Sequence, residues 1–257
     1  MRILIVGDSL SESGGFNDYV GKMWYHHIPS NCTVVNLSES GQSNNAICFS
    51  VIREVLTSAT KYDLVIVQWG DLHRLSVYNN KSVYHSQVCY TNTKGIVSPD
   101  TVFGEYWKEN YTCPHYELLH YLTLTTMLAC TLQTKGQPFV FIKGFDNYLK
   151  DACLFDWQST SDDYKDNILM RHSLPDDEIA ENHAQIHNLY NAMSATSREQ
   201  WLNLSQHSWI KQMYVLSEEF PEIHSSRADD GRHPNIETNK YYYHKINNFI
   251  KSLGLSF

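Results

Sequence analysis

The residues with the types and spacing for nucleophilic chemistry lie at the two ends of the chain: Ser9 near the start, Asp230 and His233 near the finish. Ser9 stands in the polar run Gly7-Asp8-Ser9-Leu10-Ser11-Glu12-Ser13-Gly14-Gly15. A hydroxyl attacks poorly at neutral pH unless a base takes its proton during attack, and an imidazole base works best when a carboxylate fixes its tautomer. In Ala228-Asp229-Asp230-Gly231-Arg232-His233-Pro234-Asn235 the aspartate precedes the histidine by three residues, so one loop can supply both groups. Each piece alone reads as an ordinary turn or helix cap. Their joint occurrence at opposite ends of an α/β pattern is what points to a site.

The elements around these residues are those that would position them. Arg2-Ile3-Leu4-Ile5-Val6 is nearly continuous in branched apolar residues and reads as a strand buried on both faces, as in a parallel sheet. Ser9 therefore falls just past its carboxyl end, where open α/β sheets bind ligands. A helical pattern follows from Phe16 through Val20, Met23, Trp24 and His27. The runs 33–37, 63–68 and 137–143 read as further strands. Each of the first three strands ends in a polar loop, the arrangement of a doubly wound parallel sheet. Helices are expected over 45–58, 114–133 and 236–253, the last with Tyr243, Ile246, Phe249, Ile250 and Leu253 as its inner stripe. Positions 176–193 and 197–204 also read as helical; 209–216 reads as a helix or a fifth strand. The stretch 75–113 breaks the pattern. It reads as an irregular insertion bordering the site, with a hairpin near Asn79-Asn80 as one form it could take. A single domain over 1–257 is the simplest account.

Gly7-Asp8-Ser9-Leu10 behind an N-terminal strand, and Asp-x-x-His at Asp230 to His233, resemble the first and last blocks of the SGNH/GDSL hydrolases. The resemblance implies a three-layer α/β/α sandwich on a flavodoxin-like parallel sheet of four or five strands. It also implies an esterase, lipase, carbohydrate deacetylase or acyltransferase activity with Ser9, His233 and Asp230 as the triad. The family draws its oxyanion donors from the serine amide, a second-block glycine amide and a third-block asparagine side chain. Ser9 N–H fits the first and Gly41, in Ser40-Gly41-Gln42-Ser43-Asn44, the second. The third block departs from the family's Gly-x-Asn-Asp, since this chain reads Gln68-Trp69-Gly70-Asp71-Leu72-His73-Arg74. Asp71 falls nearest the asparagine position. An ionised carboxylate there would repel an oxyanion, so it would have to be protonated, or turned away and paired with a cation such as Arg74. Asn44 and Arg74 are the leading candidates to supply the missing donor; Asn45, His73 and backbone amides are others.

Composition sets the remaining bounds. The chain has 257 residues, 42% hydrophobic and 19% charged, which suits a globular core. Its net charge of -8 argues against nucleic-acid binding, which favours a basic face. No membrane-spanning stretch or signal peptide is read, and a cytoplasmic or virion-associated product is expected. The six cysteines are scattered singly and are expected as reduced thiols, with no zinc pair among them. His183 and His187 share a helical spacing but lack an evident third ligand, so no metal and no cofactor are expected. The favoured reading is a serine esterase acting on a small acyl ester, with an O-acetyl group on a carbohydrate as the candidate substrate; 17 tyrosines and 6 tryptophans would suit sugar stacking. Two alternatives stay open: acyl transfer by the same triad, and a non-catalytic glycan-binding or virion structural protein on the same scaffold.

Overall fold

Apolar strands bounded by polar loops require a sheet covered on both faces, and that is the architecture found. The computed structural model describes residues 1–12, 23–70, 74–78, 83–87, 114–143, 188, 201–202, 236–255 and 257. Along the chain run β1 (Arg2–Val6), a short 3-10 turn (Trp24–His27), β2 (Thr33–Asn36), α1 (Asn44–Thr57), β3 (Leu64–Trp69), β4 (Arg74–Tyr78), β5 (Val83–Gln87), α2 (Pro114–Thr134), β6 (Phe139–Lys143), β7 (Trp201–Leu202) and α3 (Ile236–Ser252). Five strands form one sheet in the order β2-β1-β3-β6-β7, and every pairing in it is parallel. Numbering only the strands of this sheet, the order is 2-1-3-4-5, the flavodoxin-like arrangement.

Side chains alternate across a strand, so each strand feeds both faces. Leu4, Val6, Val65, Val67, Trp69, Phe139 and Phe141 meet α1 and α2 through Ile47, Val51, Leu122 and Leu128. Ile3, Ile5, Leu64, Ile66, Val140 and Ile142 meet the Trp24 turn and α3 through Trp24, Tyr242, Ile246 and Ile250. This two-sided burial makes the fold a three-layer α/β/α sandwich. It also explains why β1, β3 and β6 read as unbroken apolar runs. Ser43 caps α1, its side chain accepting from the Ala46 amide at 3.4 Å. Pro114 opens α2, where its missing N–H is not needed.

Several expectations are corrected. Within 197–204, residues Trp201–Leu202 are strand, not helix, paired in parallel with Phe141 and Ile142. The exposed edge of β6 supplies hydrogen-bond partners that override local helical preference. By contrast, the hairpin reading near Asn79-Asn80 agrees with the structure: β4 and β5 pair antiparallel, with Arg74 opposite Gln87 and Tyr78 opposite Val83, while 79–82 and 88–113 lie outside the described residues. In α3 the expected stripe faces the core, with Ile246 and Ile250 buried and Tyr243, Phe249 and Leu253 half-buried against the same cluster, but the fully buried tyrosine is Tyr242, which the stripe did not include. The first-helix reading over 16–22, the helix at 176–193 apart from Asn188, and 209–216 lie outside the described residues.

Among the described residues no helix is long and apolar enough to cross a membrane, and none of their His, Cys, Asp and Glu side chains cluster as metal ligands. His183 and His187 lie outside them. Cys32, Cys48 and Cys130 are free thiols, and burial pushes the Cys48 thiol up to about 12, leaving it inert at neutral pH.

The packing of α3 carries a pH-dependent term. The His27 ring lies 5.7 Å from that of Tyr243. Its Nε2 is buried and has no hydrogen-bond partner among the described residues. Burial, then the nearby Lys240 and His244, hold its pKa below the usual histidine value, while Glu237 opposes them. The folded state thus takes up a proton less readily than the unfolded chain. Stability is complete above the ordinary value, about 6.5, and is lost as pH falls through the depressed folded value. Thermal midpoints compared between wild type and His27→Phe should therefore show the wild type losing ground as pH goes from 7 to 5. An unchanged difference across that range would refute the sign.

Candidate active site

Ser9 follows β1 by two loop residues, at the rim between β1 and β3 where the sheet order reverses direction. That switch point is where ligands bind in this strand order. The loop carrying Ser9 is held from every side. The Ser11 amide donates to the Asp8 carbonyl at 2.9 Å, and the Leu10 amide donates to Asp8 Oδ1 at 2.9 Å. Asn36, at the end of β2, donates from Nδ2 to the Ser11 carbonyl at 2.7 Å. Trp24 Nε1 donates to Ser11 Oγ at 3.1 Å. The Asp8 amide donates to Gln68 Oε1 at 3.1 Å.

These bonds orient the serine amide. A peptide unit is planar and trans, so fixing the Asp8 carbonyl through Ser11 points the Ser9 N–H the opposite way. Ser9 itself is 6% exposed, and among the described residues neither its amide nor its hydroxyl has a hydrogen-bond partner. A pre-oriented amide is what an oxyanion donor requires.

The neighbouring loops approach closely because glycines permit it. A Cβ on Gly7 would stand 2.7 Å from Gln68 Oε1 and 2.9 Å from Gln68 Cβ; one on Gly70 would stand 3.2 Å from the Gln42 carbonyl and 3.3 Å from Asp8 Oδ2. Gly7→Ala should therefore force Gln68 from its place, destabilising the fold by about 1–3 kcal/mol as overpacking does. Chemical denaturation measures this, and an unchanged midpoint would show that the loop yields freely. Gly41 has φ 73°, a left-handed conformation that glycine adopts without strain. It sits in the turn after β2, the position expected for the second donor.

Asn44, expected as a donor, turns its carboxamide onto the β3-end loop. Its Oδ1 accepts the Gly70 amide at 2.8 Å and its Nδ2 donates to the Gly70 carbonyl at 3.3 Å. The side chain thus pairs with one residue's backbone as a neighbouring strand would. Asn45 points elsewhere, with Oδ1 2.9 Å from His120 Nε2. Burial lowers the pKa of that histidine, which favours the neutral ring donating to the amide oxygen.

Of the expected site residues, Ser9, Gly41 and Asn44 are thus placed at the ends of β1 and β2 and in the first turn of α1. Arg74 opens β4. Asp71, His73, Asp230 and His233 lie outside the described residues. The helix that follows Asp230 and His233 is described. Tyr242 of α3 belongs to the same apolar cluster as Leu10, the residue next to Ser9. Sequence reasoning missed Gln68, Asn36 and Asp8 as contributors. The available signal was a polar residue closing a buried strand: Gln68 is fully buried, an uncommon place for an amide unless it is bonded.

No protein-family model and no curated protein matches the chain. Solved structures similar to it include the psychrotrophic esterase EstA from Pseudoalteromonas sp., at 12% identity and TM-score 0.49, covering 98% of this chain and 97% of that one. Another is an acetyl xylan esterase from Geobacillus stearothermophilus, at 12% identity and TM-score 0.48, covering 100% and 95%. A third is a lipolytic G-D-S-L family protein from Desulfitobacterium hafniense, at 10% identity and TM-score 0.44, covering 96% and 98%.

Proposed function

We propose that the chain is a serine esterase of the SGNH type that hydrolyses a small acyl ester through an acyl-enzyme on Ser9. Ser9 Oγ attacks the ester carbonyl while His233 accepts its proton, and Asp230 holds the imidazole and stabilises its cation. The tetrahedral oxyanion takes hydrogen bonds from the Ser9 and Gly41 amides; Asn44, whose carboxamide pairs with the Gly70 backbone, holds the neighbouring loop instead. His233 then protonates the departing alcohol, and water, deprotonated by the same imidazole, releases the acid and restores Ser9. The observation that carries this reading is the Ser9 amide, aimed by the Ser11-to-Asp8 bond and unengaged among the described residues. An O-acetyl group on a carbohydrate is the substrate we infer, on the strength of the aromatic residues within 78–111.

The third block motivates a second reading, a glycan-binding protein without turnover, because Asp71 replaces the amide that the resemblance calls for. A fluorophosphonate probe separates the two. Labelling of wild type at Ser9, with hydrolysis of short-chain chromogenic esters, is expected. An unlabelled serine with retained glycan binding would establish the second reading. Added alcohol acceptors during turnover distinguish transfer from hydrolysis by the product formed.

A further inference from the structure

We propose that Gln68 is a positioning residue for the nucleophile loop, extending the β1–β3 pairing past the point where the backbone ladder stops. The role assigned to the loop rests on the esterase reading; the placement of the bonds does not. Backbone register between β1 and β3 ends at Val6 opposite Val67. Beyond it the chain leaves the ladder to carry Ser9. There the Gln68 carboxamide continues the contact between the two segments, accepting the Asp8 N–H at Oε1 at 3.1 Å. Its other end donates from Nε2 to the Trp69 carbonyl at 2.8 Å. The partners dictate the orientation, since an N–H must face the oxygen and a carbonyl must face the nitrogen.

Burial makes the arrangement rigid. Gln68 is 0% exposed, and a flipped amide would set oxygen against a carbonyl and nitrogen against an N–H with no water to relieve either. The missing Cβ of Gly7 leaves the room the amide occupies. β3 in turn is held on its far side, where Gln68 and Trp69 pair with Ile142 and Lys143 of β6. The position of Asp8, and through it of the next residue, Ser9, is thus referred to the middle of the sheet rather than to a loop.

Two substitutions test this. Gln68→Leu keeps the volume and removes both bonds. Its kcat on a short-chain ester should fall about 10- to 100-fold, the scale of a misplacement near 1 Å, with KM within about twofold. Hydrogen exchange over residues 7–11 should quicken while the rest of the sheet stays protected. Gln68→Glu is the sharper probe. Protonated, the acid reproduces both bonds; ionised, it loses the donor to the Trp69 carbonyl and sets a negative charge beside the reaction. Burial favours the protonated form. The variant should therefore be active at lower pH and acquire an alkaline fall in kcat absent from wild type, a signature that a merely structural role would not produce. A wild-type pH profile in Gln68→Glu, or unaltered exchange over residues 7–11 in folded Gln68→Leu, overturns the proposal. If Gln68→Leu does not fold, the Gln68→Glu profile decides. If wild-type Ser9 is neither labelled nor active, the esterase reading fails on its own, and exchange over residues 7–11 still decides whether Gln68 holds the loop.

Discussion

Ser9→Ala is expected to lower kcat/KM on a short-chain ester by at least about 10⁴-fold, the scale seen when the nucleophile of a triad is removed. The fold should not suffer. Among the described residues the hydroxyl makes no hydrogen bond, so its loss leaves no partner stranded. Stability should stay within about 0.5 kcal/mol of wild type, and a small gain would fit the usual exchange of stability for activity at such sites. Residual turnover should come from the amides that remain. Steady-state kinetics, probe labelling and thermal melting on the same preparations check all three statements. A variant that keeps full activity, or is still labelled at this loop, would remove Ser9 from the chemistry.

His233→Ala is expected to cost about 10⁴- to 10⁶-fold in kcat, because nucleophile and base act as a unit. The wild-type kcat/KM should rise with pH as the imidazole loses its proton, and the variant should lack that rise. Asp230→Asn should cost about 10⁴-fold by presenting the imidazole in the wrong tautomer. Two of the described histidines are engaged elsewhere, His27 against Tyr243 and His120 on Asn45. His233 is the base that the sequence favours. A His233→Ala protein with the same pH profile and rate would mean that another group serves.

The strands that were legible are those buried on both faces. β1, β3 and β6 are runs of branched and aromatic residues because each alternate side chain meets a different helical layer. β7 was not legible. Two residues carry no period, and Trp201–Leu202 becomes a strand only because the edge of β6 is there to pair with it. Tyr242 rather than Tyr243 fills the core because the rotation of α3 is set by what it meets, Trp24 and Ile28 on one side and the sheet on the other. Adjacent tyrosines differ too little in pattern to reveal this.

For the site, the chain's own order marks a serine behind the first strand and a glycine behind the second, where Ser9 and Gly41 stand; the acid and histidine expected ahead of the last helix lie outside the described residues. These are local signals: a polar turn after an apolar run, and turn residues at fixed offsets. What tertiary structure alone decided is which amide meets which peptide. Gln68 reaches Asp8 across 60 positions, and Asn44 reaches Gly70 across 26. Such contacts depend on strand register and on how closely two glycines let the loops approach. Both arise from packing the two faces of the sheet together, a property of the assembled layers that no single stretch of residues contains.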